Sequence, residues 1–173
     1  MLRVLIADDE SKVCQLIEKL VDWGALGMEV VAVAENGIEA LEKIKEFYPD
    51  IVITDIRMPG YDGLDLIRLG KEEAPNTEFV IISGYRHFEY AQMAIRYGVN
   101  AYLLKPIRKD ELTETLKRLS AHFKEQTEQL SLEEKRQRAI RSDEKNLRQA
   151  FLQDLVGRRN KEVLTQPLDR INR

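Results

Sequence analysis

Apolar residues fall in two textures along the first two thirds of the chain. Short runs rich in branched side chains occur at Leu2–Ala7, Val30–Ala34, Asp50–Thr54, Phe79–Ser83 and Ala101–Leu104. Between them apolar positions recur every three or four residues. Val13, Leu16, Ile17 and Leu20 mark one stripe, and Ile38, Leu41 and Ile44 the next. Leu64 and Ile67, then Tyr90, Ala91, Ala94 and Ile95, then Leu112, Leu116 and Leu119 mark three more. The first spacing suits strands and the second suits helices. The central runs are apolar at consecutive positions, so both faces of those strands are covered. Five strands alternating with five helices, with such strands at the centre, predict an α/β domain built on a parallel sheet.

Turn chemistry supports these boundaries. Asn36-Gly37 and Asp62-Gly63 open helices, while Pro49, Pro75 and Gly98 close the preceding ones. The texture changes near Ser120, where strand signals stop. From Leu112 an alternating four–three spacing runs through Leu116, Leu119, Phe123, Gln126, Leu130, Glu133, Gln137, Ile140, Glu144 and Leu147 to Phe151. This is a heptad seam broken by polar positions in its middle. It predicts one long helix continuing the fifth, able to join two subunits as a parallel coiled coil. The chain therefore divides into a folded domain at 1–121, a helical segment at 122–156 and a poorly ordered tail at 157–173.

Charge sharpens that division. Residues 1–121 hold 15 Lys and Arg against 21 Asp and Glu, a net of -6, and the remaining residues hold 12 against 9, a net of +3. An acidic folded part with a mildly basic tail carries no strong nucleic-acid signature. The single cysteine, Cys14, allows no internal disulfide and fits a small core residue. The N-terminus leads straight into a strand, and no window approaches the ~20 apolar residues of a membrane span. A cytoplasmic location is expected, with no membrane contact.

Candidate chemistry lies at the strand ends. In open parallel sheets, ligands bind outside the carboxyl ends of the strands. The first strand runs into Asp8-Asp9-Glu10, the third into Asp55, the fourth ends in Ser83, and the fifth runs into Lys105-Pro106. Each residue alone has an ordinary explanation. Asp8 suits a helix N-cap, Asp55 a turn, Ser83 a cap, and Lys105 a solvated charge. Together they are harder to dismiss. Asp8, Asp9 and Asp55 held within ~5 Å would repel by about 3 kcal/mol per pair at an effective dielectric near 20. A hard divalent cation such as Mg²⁺ answers that problem with oxygen ligands. Asp9 is then the expected nearest ligand, Asp55 the second, and Asp8 acts through water. The same setting prepares Asp55 as a nucleophile toward phosphorus, with Lys105 and Ser83 meeting the phosphoryl oxygens.

These residues lie in segments that resemble a known family. Leu5-Ile6-Ala7-Asp8-Asp9-Glu10, Asp50 through Gly60, Asp62-Gly63-Leu64, Ile82-Ser83-Gly84-Tyr85 and Tyr102-Leu103-Leu104-Lys105-Pro106 resemble the receiver domain of bacterial two-component response regulators. The resemblance spans about residues 1–120. It implies a (βα)5 flavodoxin-like, doubly wound parallel sheet of strand order 2-1-3-4-5. It implies Asp55 as phospho-acceptor from a sensor histidine kinase, and Mg²⁺ held by Asp8, Asp9, Asp55 and the backbone carbonyl of Arg57. It implies Ser83 and Tyr102 as a switch pair and a cis bond before Pro106. Arg57 and Tyr85, bulky and beside the pocket, are expected to slow loss of the phosphoryl group.

Further details, Asp22-Trp23, Ile53 through Pro59, Ser83-Gly84-Tyr85, Phe88-Glu89-Tyr90-Ala91 and Tyr102 through Ile107, resemble the subgroup with an AraC-type DNA-binding output, the YesN-like kind. Residues 122–173 show no pair of helix-turn-helix units. DNA contact is thus expected only through an output domain missing from this chain. A homodimer is expected through the C-terminal helix or the face of the fourth and fifth helices. Two other readings stay open. One is an Asp-nucleophile phosphatase of the haloacid dehalogenase type, which would want a second Asp where Arg57 stands. The other is an unphosphorylated dimerisation scaffold. Neither His87 nor His122 reads as a metal or relay site.

Overall fold

The computed structural model describes residues 1–164. Five parallel strands form one sheet in the order β2-β1-β3-β4-β5. They are β1 (Leu2–Ala7), β2 (Met28–Ala34), β3 (Ile51–Thr54), β4 (Glu78–Ser83) and β5 (Ala101–Leu104). Five helices alternate with them: α1 (Ser11–Leu20), α2 (Gly37–Phe47), α3 (Gly63–Glu73), α4 (Phe88–Arg96) and α5 (Lys109–Leu164). The order reverses between β1 and β3, which pair directly from Val4↔Ile51 to Ala7↔Thr54. That reversal opens a crevice at the carboxyl edge.

The core follows from the strand composition. Every residue of β3 is buried, as are Val4 to Ala7 of β1 and Phe79 to Ser83 of β4. Covering both faces of these strands takes α2 and α3 on one side, where Ala40, Leu41, Ile44, Leu64, Leu66 and Ile67 are buried. Cys14 and Ile17 of α1 are also buried, with Leu112, Leu116 and Leu119 of α5. Both Asx caps form as the sequence leads one to expect. The Asn36 side chain accepts from the Glu39 N–H at 2.8 Å, and that of Asp62 accepts from the Asp65 N–H at 2.8 Å.

Several expectations are corrected. The buried stripe of α1 passes through Cys14 and Ile17 to Val21, leaving Leu16 exposed. In α4 only Ala94 is buried, and Ile95 is 76% exposed. Adjacent helical stripes lie only 100° apart per residue, so packing decides which one faces the sheet. The ordinary explanation of Asp8, a cap on α1, falls away as the site reading requires. Glu10 occupies the N-cap position without a side-chain bond, and the Asp8 Oδ1 accepts from the Glu10 N–H at 2.9 Å. The helix does not end at 156. It continues through Gly157 to Leu164, since one helical glycine costs only about 1 kcal/mol relative to alanine. Arg158 also pairs with Asp154 one turn earlier at 3.1 Å. The last part of the expected tail, 165–173, lies outside the described residues.

Contacts divide the chain into two units, Met1–His122 and Phe123–Arg173. In the second, every side chain from 124 to 158 is exposed, including Leu130, Ile140, Leu147 and Phe151. No described helix is long and apolar enough to cross a membrane.

Candidate functional site

The carboxyl ends of β1, β3, β4 and β5 bring Asp8, Asp55, Ser83 and Lys105 together. Asp8 is 2% exposed and Asp55 6%. Two carboxylates at such depth need compensation. The Lys105 ammonium supplies it, lying 2.9 Å from Asp8 Oδ2 and 3.1 Å from Asp55 Oδ2, with Glu10 Oε1 at 3.9 Å. The cis peptide bond at Lys105–Pro106 is present. The cation that relieves the expected repulsion between Asp8 and Asp55 is thus partly the protein's own.

Each Asp55 oxygen has its own partner. Oδ1 accepts the N–H of Ile56 at 2.6 Å, and Oδ2 faces Lys105. The Asp55 N–H donates to Ala7 O at 3.0 Å, which ties the end of β3 to the end of β1. Burial pushes the Asp8 carboxyl above the usual carboxylate range, although the Glu10 N–H and Lys105 pull the other way. Burial alone would lower the Lys105 ammonium, but Asp8 and Asp55 outweigh it and hold the amine protonated above its ordinary range.

Glu10 joins Asp8 and Asp9 in one acidic group. Carboxylate oxygens of Asp8, Asp9 and Glu10 lie within 4.8 Å of one another, and Asp9 and Glu10 are exposed. Asp55 is linked to Asp8 through Lys105 and stands outside that trio. Three carboxylates offering only oxygen are the donor chemistry that suits Mg²⁺, so the residues present fit such an ion. Glu10 had no metal role in the sequence reading. Its neighbour relation depends on the turn after β1, which strand periodicity does not encode.

The side chains of Arg57, Tyr85, His87 and Tyr90 form a layer that the sequence did not reveal as a unit. The Arg57 guanidinium stacks over the Tyr85 ring, 4.2 Å from its centroid. Tyr85 stacks on His87 at 6.0 Å, and His87 meets Tyr90 edge-on at 5.5 Å. Arg57 and Tyr85, expected side by side at the pocket, are therefore in direct contact with each other. The Tyr102 hydroxyl donates to Tyr85 O at 2.6 Å, and the Tyr85 N–H donates to Ser83 Oγ at 3.3 Å. Burial raises the Tyr102 phenol above its ordinary value, with the Ser83 hydroxyl opposing. Ser83 and Tyr102 thus grip the same β4–α4 loop residue from two sides. Of the histidines, His87 joins this ring layer and His122 lies on α5.

Comparison with known proteins gives this geometry a context. Residues 4–117 match the response regulator receiver domain family. The chain is 41% identical over 126 residues to the transcriptional regulatory protein YesN of Bacillus subtilis, covering 73% of this chain and 34% of that protein. It is 36% identical over 129 residues to the transcriptional regulatory protein HptR of Staphylococcus aureus, covering 75% and 50% respectively. The chain spans half or less of the length of these relatives. Among solved structures, it is similar to the receiver domain of AraT, a response regulator from Geobacillus stearothermophilus. The TM-score is 0.70 and the identity 40%, covering 73% of this chain and 98% of that one. Receiver domains bind Mg²⁺ in an acidic pocket and take part with histidine kinases in signalling. With the strand order, the buried Asp55–Lys105–Asp8 group and the match over 4–117 in agreement, this chain belongs to the response regulator receiver family.

Proposed function

We propose that the chain is a phosphorylation switch that accepts a phosphoryl group on Asp55 from a sensor histidine kinase. The observation that carries this reading is the buried Asp55 carboxylate with Lys105 against one oxygen and a backbone N–H against the other. An Asp55 oxygen attacks phosphorus, the P–N bond to the kinase imidazole breaks, and its electron pair stays on that nitrogen. Lys105 and the Ser83 hydroxyl then face the phosphoryl oxygens as charge and hydrogen-bond donors. A bound Mg²⁺ supplies further charge neutralisation there. Asp8, Asp9 and Asp55 with the Arg57 backbone carbonyl would hold it, and Glu10 lies close enough to join through water.

The new charge, about -1.5 to -2, draws Ser83 toward it. Ser83 also accepts from Tyr85, whose carbonyl receives the Tyr102 hydroxyl. Moving Ser83 therefore breaks or remakes the bonds on both sides of Tyr85, and the change passes to α4 and α5. YesN and HptR are named transcriptional regulatory proteins, and a transcriptional output is the corresponding end of this switch. The uncovered apolar positions of α5 support a homodimer in which two copies of the helix pair in parallel. A cytoplasmic location fits this role.

The decisive experiment is acetyl-phosphate labelling with Mg²⁺. Wild type is expected to label and Asp55→Asn to stay unlabelled. Equal labelling of both would remove Asp55 from its role. The Arg57–Tyr85 stack predicts a long-lived phospho-form, because together they cover the approach of water to the phosphoryl group. Replacing both by Ala is expected to shorten the half-life about tenfold by opening that approach to water. An unchanged decay of labelled protein would count against this.

A further inference from the structure

The loop that carries Arg57, between Asp55 and Asp62, has a second support in the N-terminus of α2. The N-terminus of α2 approaches it so closely that no side chain fits between them. A Cβ on Gly37 would stand 1.9 Å from Tyr61 O, and the Gly37 N–H donates to Pro59 O at 3.1 Å. One residue on, Gly60 turns with a φ of +79°, and a Cβ there would meet Ile38 Cγ1 at 2.7 Å and Cδ1 at 2.9 Å. Ile38 itself is 51% exposed. It is therefore a poor core residue, and the helix stripe that the sequence suggests does not account for it. Its Cγ1 and Cδ1 occupy the space a side chain on Gly60 would take. The Asn36 cap fixes the first turn of α2 that carries it.

We infer that Ile38 is a positioning residue for the phospho-acceptor loop, seated on Gly60 so that the Arg57 segment is held between α2 and Tyr85. Its close approach is to Gly60, and it acts through the loop backbone. The inference rests on the reading of Asp55 as phospho-acceptor. With the seat filled, the loop is held by the Gly37–Pro59 hydrogen bond, the Ile38–Gly60 contact and the Arg57–Tyr85 stack. With it emptied, the hydrogen bond and the stack remain but the segment between them can shift. Such shifts weaken ligand presentation and alignment well before they unfold a domain.

The test measures Mg²⁺ affinity by calorimetry, the initial rate of acetyl-phosphate labelling and the melting temperature, on the full chain. Ile38→Ala is expected to lose about tenfold in Mg²⁺ affinity and in labelling rate, as removal of an outer support commonly does, with little change in melting. Ile38→Val keeps Cγ atoms on Gly60 and is expected to stay within about twofold of wild type. Gly60→Ala strains the positive φ and drives a Cβ into Ile38; combining it with Ile38→Ala relieves only the clash and is expected to recover part of the rate that Gly60→Ala loses, a coupling that independent sites do not show. Wild-type affinity and rate in Ile38→Ala would overturn the inference. So would losses that merely track melting, or a double variant as poor as the two single losses multiplied. A wild type that does not label at all overturns the Asp55 reading and the inference together, whereas a labelled wild type with an unaffected Ile38→Ala overturns the inference alone.

Discussion

The edge of the sheet and the far part of α5 break opposite rules. At the edge, charged groups are buried: Asp8, Asp55 and most of Lys105 are withdrawn from water. Along 124–158 of α5, apolar groups are exposed, with Leu130, Ile140, Leu147 and Phe151 all open. A chain selected only for stability would do neither. Buried charge is tolerated where something charged is to be bound, and exposed apolar surface where something apolar is to cover it. The two violations have different sequence signatures. The first is a set of isolated polar residues at strand ends, and the second is a periodic stripe without a partner.

The sharpest way to break this comparison is to remove the charge that makes the edge possible. Lys105→Met leaves Asp8 and Asp55 buried without their cation. A loss of about 3 kcal/mol of stability by denaturant melting is expected, as for breaking a buried pair, together with loss of labelling. A variant as stable as wild type would mean that the two carboxylates are solvated in solution. Next in size is the helix. Leu147→Asp with Phe151→Asp takes two buried side chains from each copy of a paired helix, each worth about 1.5–3 kcal/mol. Sedimentation is expected to show a monomer in place of a dimer, while the melting of the first unit stays unchanged. A wild type that sediments as a monomer at high concentration would remove the pairing.

The smallest effect separates function from stability at the edge itself. Burial holds the Asp8 carboxyl above its unfolded value, so the folded chain keeps that proton more tightly. Its contribution favours folding at low pH and is lost as pH rises through the raised value. Asp8→Asn removes that cost, and the amide oxygen can still accept from Glu10. The variant is expected to melt higher than wild type near neutral pH, to lose this advantage in acid, and to bind Mg²⁺ more weakly. A variant that melts lower at neutral pH would show that the Lys105 contact outweighs burial.

Much of this was legible in advance, and the exceptions have physical causes. β1 and β5 lie where the apolar runs place them, and β2 begins at Met28, two residues before its run. Strands buried on both faces announce themselves by composition, and Asx-Gly pairs announce helix starts through their side-chain bonds. Helix faces were less legible. Leu16 and Ile95 share the spacing of their buried neighbours, yet Cys14, Val21 and Ala94 are the residues buried. The convergence of Asp8, Asp55, Ser83 and Lys105 could be read because each closes a strand. Glu10, His87, Tyr90 and the Ile38 seat could not, because loop conformation brings them into place and no period records it.

A free carboxylate is symmetric: resonance makes its two oxygens interchangeable, and either could attack. Asp55 has lost that symmetry. One oxygen is committed to the Ile56 N–H and the other to Lys105. In the proposed transfer, a phosphoryl donor therefore meets an acceptor with a left and a right. The direction of attack is set by the fold before any donor arrives.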